Sequence, residues 1–228
     1  MGYFGCAMGH RAFKKRIYPE FARIAQALAS DKRLELLDLL AQAPRHVEAL
    51  AEETEMSVAN VSQHLQVLRA AHLVEADRDG NKVVYCLAGG DVLRLWLSLR
   101  DVAEQRIPEI ARIRQSFAVE GAEGEPFSRE RLETEVAADR IVIVDVRPTV
   151  EYEQGHIPGA ISIPPDDLPA RIHDLPRDRT IVAYCRGTYC LFADEAVAAL
   201  RERGFEAYRL EGGWPEWAVG AAGVFDTR

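Results

Sequence analysis

The densest chemistry in the chain lies in Cys185-Arg186-Gly187-Thr188-Tyr189-Cys190. An apolar run, Ile181-Val182-Ala183-Tyr184, precedes it, and a helical pattern begins near Leu191. A strand that feeds a tight loop opening a helix aims several backbone N–H groups at one point, and the helix dipole adds positive potential there. Cys185 in that cradle, beside Arg186, is expected to be a thiolate near neutral pH. The thiolate is the form of cysteine that attacks. Gly187 permits a backbone turn that a side chain would obstruct. A cysteine at a strand end can also be a small buried hydrophobe. Here the whole loop, and not the cysteine alone, has the pattern of a site.

Two further stretches accompany the loop. The first is Asp145-Val146-Arg147-Pro148, followed by Glu151-Tyr152 and Gly155-His156-Ile157-Pro158-Gly159-Ala160. The second is Leu210-Glu211-Gly212-Gly213-Trp214 with Trp217. From Ser128 to about Gly220 the chain resembles the rhodanese sulfurtransferases. The six-residue loop has the family's sulfur-transfer length, whereas related phosphatases and arsenate reductases use seven. The resemblance implies an α/β domain in which Cys185 takes sulfane sulfur from thiosulfate or a persulfide. A thiol or cyanide then accepts it. Loop N–H groups and Arg186 would stabilise the persulfide anion. No metal or organic cofactor is implied. Asp145 and Arg147 read as an ion pair or loop brace at a strand end, and His156 as structural. Cys190 stands where the family often has a hydroxyl residue facing the nucleophile. A thiol there either donates weakly to the persulfide or resolves it as a disulfide, and the sequence does not choose.

The elements that must position the loop follow from periodicity. Strand-like runs cover 141–144, 160–163, 180–185 and 207–210. Helical patterns cover 148–154, 166–173 and 191–203, and Ser128 caps another reaching about residue 138. Such alternation predicts a parallel sheet with the site at the carboxyl ends of its strands. Residues 118–127, rich in Gly and Glu, read as a linker.

Upstream the patterning changes. Phe21, Ile24, Ala25 and Leu28 follow Pro19 at helical spacing, after a basic segment from Arg11 to Arg16 that reads as part of a tail over 1–17. Ser30 or Asp31 opens a second helix with Leu34, Leu37 and Leu40, and a short helix covers about 47–55. Ser57 caps the next, over about 58–71, whose stripe is Val61, Leu65 and Leu68. Its early turns carry Asn60, Ser62, Gln63 and His64, side chains able to reach base edges in a major groove. Strand-like runs over 73–76 and 83–87 flank Arg78-Asp79-Gly80-Asn81-Lys82, a hairpin turn. The stretch 18–115 resembles the ArsR-type winged-helix regulators. That resemblance implies a homodimer reading an inverted repeat in double-stranded DNA. Ser57, Asn60, Ser62, Gln63 and His64 match its DNA-reading positions, and Arg78 and Lys82 would lie on the wing near phosphates.

Residues 91–117 form a long apolar-striped helical pattern that Pro108 should kink or divide. The resemblance makes the first and last helices the dimer interface. The family's Cys-x-Cys metal site would fall on His46-Val47-Glu48-Ala49-Leu50, which has no cysteine, and 91–117 has no histidine for the alternative site. A His46/Glu48 pair is most simply a helix surface. Cys86 reads as a small buried residue, and Cys6 receives no role.

The chain has 228 residues and a net charge of −8, unevenly spread. Residues 1–115 carry 16 basic and 15 acidic side chains, and the remainder 12 and 21, so the acidity does not exclude DNA binding by the first half. No apolar run approaches the ~20 residues that span a bilayer. The expected compartment is the cytoplasm, with reduced cysteines.

The fold class expected is therefore two domains: a mainly α winged helix-turn-helix with a β-hairpin wing over 18–117, and an α/β rhodanese-like domain with a parallel sheet over 128–228. The leading function is a DNA-binding regulator that senses sulfur or redox state. The alternative is chiefly a sulfurtransferase, with the winged half serving dimerisation or autoregulation.

Overall fold

A computed structural model describes the backbone of residues 4–220 and side chains from residue 10. It divides into two compact units, Met1–Val92 and Leu93–Arg228. The division falls earlier in the chain than the Gly- and Glu-rich segment 118–127.

In the first unit, α1 (Phe4–Leu28) runs through the segment expected to be a tail, so residues 4–17 are helical. Ala, Met, Lys and Arg, all good helix formers, carry the helix back to Phe4. Pro19 lies inside it rather than in its first turn. The side chain of Cys6 lies outside the described residues. α2 (Asp31–Leu40) follows. Its Arg33 reaches back to the end of α1, donating to the carbonyls of Ala27 at 2.5 Å and Gln26 at 2.9 Å. Both carbonyls belong to the last turn of α1, where Gln26 O also accepts the Ala29 N–H at 3.3 Å, and Arg33 helps fix the α1–α2 corner.

A short strand absent from the sequence reading, β1 (Arg45–His46), leads into α3 (Val47–Glu53). Thr54 closes α3 by donating to Leu50 O at 2.6 Å. α4 (Val58–Ala70) starts at Ser57, whose hydroxyl accepts the Asn60 N–H at 3.3 Å. Then come β2 (Val74–Asp79) and β3 (Lys82–Leu87), joined at Gly80 and Asn81. Gly80 has φ +59°, as such a tight turn requires. The antiparallel order is β1-β3-β2. Leu36, Leu37, Leu50, Val61, Leu65 and Leu68 are buried without exposure, so the stripes of α2, α3 and α4 meet in one core.

α5 (Gly90–Arg106) crosses the boundary between the units, and all of it from Leu93 belongs to the second. α6 (Pro108–Ser116) begins at the proline that divides the long pattern. The segment 118–127 is not free of the second unit. Arg201 donates to Gly121 O and Glu123 O at 3.1 and 2.7 Å, and Phe127, 1% exposed, is part of the core.

The rest of the unit is built from α7 (Arg129–Ala137), β4 (Ile141–Asp145), α8 (Thr149–Gln154), β5 (Ile161–Ser162), α9 (Leu168–Arg171) with a 3-10 turn, β6 (Thr180–Tyr184), α10 (Phe192–Glu202), β7 (Ala207–Arg209) and α11 (Trp214–Gly220). The last of these has no counterpart in the sequence reading. The four strands are parallel in the order β5-β4-β6-β7.

Strand alternation sorts side chains to two apolar layers. On β6, Val182 and Tyr184 join Phe127, Leu132, Ile143 and Trp214. Ile181 and Ala183 join the opposite layer with Val144, Ala196, Val197 and Leu200, and Cys185, next in that register, joins it too.

At the end of β4, Asp145 and Arg147 pair with no exposure of either side chain, Nη2 to Oδ2 2.7 Å. Removing one member of a buried pair leaves the other charge uncompensated. Asp145→Asn should therefore weaken the unfolding transition of the second unit by about 3–5 kcal/mol in urea titration of the full chain. Arg179→Ala breaks an exposed pair with Asp139 and should change it by under about 1 kcal/mol.

Candidate functional site

The six-residue loop sits where β6 ends and α10 has not begun. Gly187 adopts φ +135°, and the turn closes through Cys190 N–H donating to Gly187 O at 3.1 Å. Trp214 N–H donates to Cys185 O at 3.2 Å. A Cβ on Gly213 would stand 2.4 Å from both Cys185 O and Gly187 N, so this position must be glycine for α11 to close on the loop. Arg209, at the end of β7, donates to Gly187 O at 2.8 Å and pairs with Asp194 at 2.8 Å.

α5 and α11 hold the loop from another side. Arg100 of α5, 7% exposed, forms an ion pair with Glu216 of α11. Glu216 also accepts the Gly213 N–H at 2.9 Å. A Cβ on Gly187 would lie 3.4 Å from Glu216 Oε1 and 3.5 Å from Arg100 Nη1, so the pair covers the middle of the loop. Tyr189 donates its hydroxyl to Glu104 of α5 at 2.6 Å, and the Arg100 guanidinium lies 5.5 Å from its ring centroid.

The loop's electrostatics correct the sequence reading. Cys185 is fully buried, and burial pushes its thiol well above the ordinary range. A hydrogen bond to Cys190 and the Cys190 charge push the same way, while the Gly187 backbone and Arg209 pull against them. Cys190 is the thiol whose ionisation is favoured. The hydrogen bond from Cys185 lowers it to about 7, against burial, with help from the backbone of Phe192 and Arg186 and the Arg186 charge. The Arg186 charge favours ionisation of Cys190. Its guanidinium is held by the fully buried Glu151, Nη2 to Oε1 2.5 Å. Cys185 Sγ lies 3.3 Å from Cys190 O and 3.8 Å from Gly187 O. Thr188 is half-buried in the loop.

Asp145 and Arg147 stand behind this arrangement rather than in it. Arg147 donates to Gly155 O at 2.7 Å and lies between the rings of Tyr184, at 5.6 Å, and Trp214, at 5.3 Å. It thereby fixes the residue before Cys185 and the first residue of α11. Burial and Asp145 keep the Tyr184 phenol protonated, and its oxygen accepts the Ile157 N–H at 3.0 Å. His156 stacks on Tyr152 at 3.8 Å and faces its carbonyl at 2.9 Å, a structural placement.

The other candidate surface belongs to the first unit. Ser57, Asn60 and Gln63 are exposed along the start of α4, with Ser62 and His64 half-buried beside them. Arg78 and Lys82 are exposed on the hairpin. Glu75, Asp77 and Asp79 share that hairpin, so it is not a purely basic element. His46 Nε2 lies 3.9 Å from Asp79 Oδ2. Cys86 is half-buried on β3.

Comparison with known proteins finds relatives of both regions. Residues 30–76 match the bacterial regulatory protein, arsR family, and residues 128–219 match the rhodanese-like domain. The HTH-type transcriptional regulator Rv0324 of Mycobacterium tuberculosis is 42% identical over 206 residues, 90% of each chain. The chain belongs to the ArsR family and carries a C-terminal rhodanese-like domain. A sulfurtransferase of Allochromatium vinosum is 35% identical over 34% of this ArsR-family chain and 72% of its own. An NMR structure of a homodimeric winged helix-turn-helix DNA-binding domain from Mycobacterium bovis, a possible ArsR-family regulator, is 42% identical. It covers 41% of this chain and 87% of that fragment, with a TM-score of 0.40.

The loop partners Arg209, Glu216, Arg100 and Glu104 were not found from the sequence of this ArsR-family chain. Arg209 directly precedes the Leu210–Trp214 signature, which was a usable signal. Arg100 and Glu104 lie far upstream and gave none.

Alkylation of Cys190 tests the charge assignment. In the wild-type chain its rate should rise with pH and level off above about 7. In Cys185→Ala the midpoint should move up toward the ordinary thiol value of about 8.5, because the leading stabilising hydrogen bond is gone. An unshifted midpoint would show that Cys185 does not lower it.

Proposed function

We propose that this ArsR-family DNA-binding regulator carries sulfane sulfur on Cys185 and couples that state to operator affinity. The functional partition is a winged, dimerising part over 18–117, a connecting segment over 118–127 and the rhodanese-like part from 128. The observation that carries the reading is the grip of α5 on the sulfur loop. Arg100 and Glu104, inside the segment assigned to dimerisation, bond to Glu216 and Tyr189.

In the proposed chemistry Cys185 gives its proton to the Cys190 thiolate and attacks the sulfane sulfur of thiosulfate. A Cys185 persulfide forms and sulfite leaves. The Gly187 backbone and Arg209 favour the anion. Cyanide or a thiol then removes the outer sulfur. α4 enters the major groove of an inverted repeat, with Asn60, Gln63 and His64 on base edges and Arg78 and Lys82 near phosphates. Exposed apolar side chains support a homodimer: Phe13, Tyr18 and Phe21 on α1, Leu95 and Val102 on α5, and Ile113 on α6.

Cys185→Ser should abolish thiosulfate:cyanide sulfurtransfer, and Cys190→Ser should reduce it. Activity surviving in Cys185→Ser would remove Cys185 as the carrier.

Gln63→Ala and His64→Ala should each relax operator preference by about 1–3 kcal/mol if the side chain makes a bidentate base contact. Binding isotherms on operator and scrambled DNA measure this. Reduced and sulfur-loaded chains should differ in operator affinity by about 5–150-fold, the range of ordinary allosteric coupling. Equal affinities would defeat the sensing reading.

A further inference from the structure

The geometry points to Cys190 as a second catalytic residue, one that attacks the Cys185 persulfide, closes a Cys185–Cys190 disulfide and releases hydrosulfide. The inference rests on the proposed loading of Cys185 and adds to it a step that ordinary sulfur transfer does not need. Three observations support it. The two cysteines close one six-residue turn, with Cys190 N–H donating to Gly187 O at 3.1 Å and Cys185 Sγ 3.3 Å from the Cys190 carbonyl. Cys185 has no exposure to water, whereas Cys190 is half-buried. The backbone of Arg186 and Phe192, the latter opening α10, favours negative charge on Cys190.

The step balances without an added oxidant. After loading, Cys190 holds the proton it took from Cys185. That proton passes to the terminal sulfur of the persulfide, leaving a Cys190 thiolate. The thiolate attacks Cys185 Sγ, the bond between Sγ and the terminal sulfur breaks, and hydrosulfide departs with the electron pair. The sulfane sulfur is reduced to sulfide as the two cysteine sulfurs are oxidised to a disulfide. Over both steps, thiosulfate, one thiol and one thiolate give sulfite, hydrosulfide and one disulfide. A small thiol reductant reopens the disulfide.

The test uses the full chain with Cys6→Ser and Cys86→Ser, kept free of oxygen and of added thiols. Thiosulfate is the probe; sulfite, hydrosulfide and intact mass are the readouts. The parent should release sulfite and hydrosulfide in equal amounts, and its mass should fall by two hydrogen atoms. A dithiol should restore it. With Cys190→Ser added, the chain should release sulfite, gain one sulfur atom on Cys185 and release no hydrosulfide. A parent that gains the sulfur and keeps it, or a Cys190→Ser chain that releases hydrosulfide as fast as the parent, would overturn the role of Cys190 while leaving Cys185 as carrier. If neither chain gains sulfur or releases sulfite, the reading of Cys185 as carrier fails, and this inference with it.

Discussion

A guanidinium with no exposure to water sits at the carboxyl end of the parallel sheet, and much of the second unit is arranged to satisfy it. Arg147 meets Asp145 through three contacts of 2.7 to 3.1 Å, reaches Gly155 O, and lies between Tyr184 and Trp214. Its isolated burial would be prohibitive. Every group that satisfies it is therefore fixed in place, and two of those groups bracket the chemistry. Tyr184 immediately precedes Cys185, and Trp214 opens the helix whose N–H bonds the Cys185 carbonyl. The pair touches no sulfur, yet it determines where the sulfur loop starts and what closes over it. A second buried carboxylate, Glu151, does the same for Arg186.

Much of this was legible in the residues. The alternation of Ile181 to Tyr184, the caps at Ser57 and Ser128, and the break at Pro108 each have a local cause, and each lies where its pattern places it. The elements that were missed have weak local signals. Two-residue β1 exists through its pairing with Tyr85 and Val84. The α11 stretch, Trp214-Pro215-Glu216-Trp217, reads as a signature rather than a helix until Trp214 finds its buried place. Residues 4–17 carry charges that suit a solvated tail, yet a solvated segment can equally be helical.

The charge on the loop was misplaced for a reason of magnitude. A helix N-terminus contributes about 0.3–1 kcal/mol to a nearby anion. Full burial can raise a thiol by several pKa units, each worth about 1.4 kcal/mol. The motif displays the first effect and hides the second. What decides the matter is the register of β6, which sends Cys185 into the apolar layer with Ile181 and Ala183. Burial raises the Cys185 thiol, while backbone donors favour ionisation of Cys190. Two thiols sharing one proton make a nucleophile and its base in one turn, which neither cysteine provides alone.

The same packing limits how the loop can change. Cys185 has no free surface, and the 2.4 Å approaches that a Cβ on Gly213 would make show that α11 presses directly on the loop backbone. An added sulfur must therefore displace something, because interiors this dense deform in discrete steps. Closing the two cysteines together instead pulls the turn between Gly187 and Cys190. Either change acts on groups that α5 holds. Of its two contacts, the exposed Tyr189–Glu104 hydrogen bond contributes little. The Arg100–Glu216 pair is different: Arg100 is 7% exposed, and separating it from its carboxylate leaves a buried charge poorly compensated. Glu216 also holds Gly213, so it cannot move with the loop without moving against Arg100. The Arg100–Glu216 pair therefore ties the loop to α5.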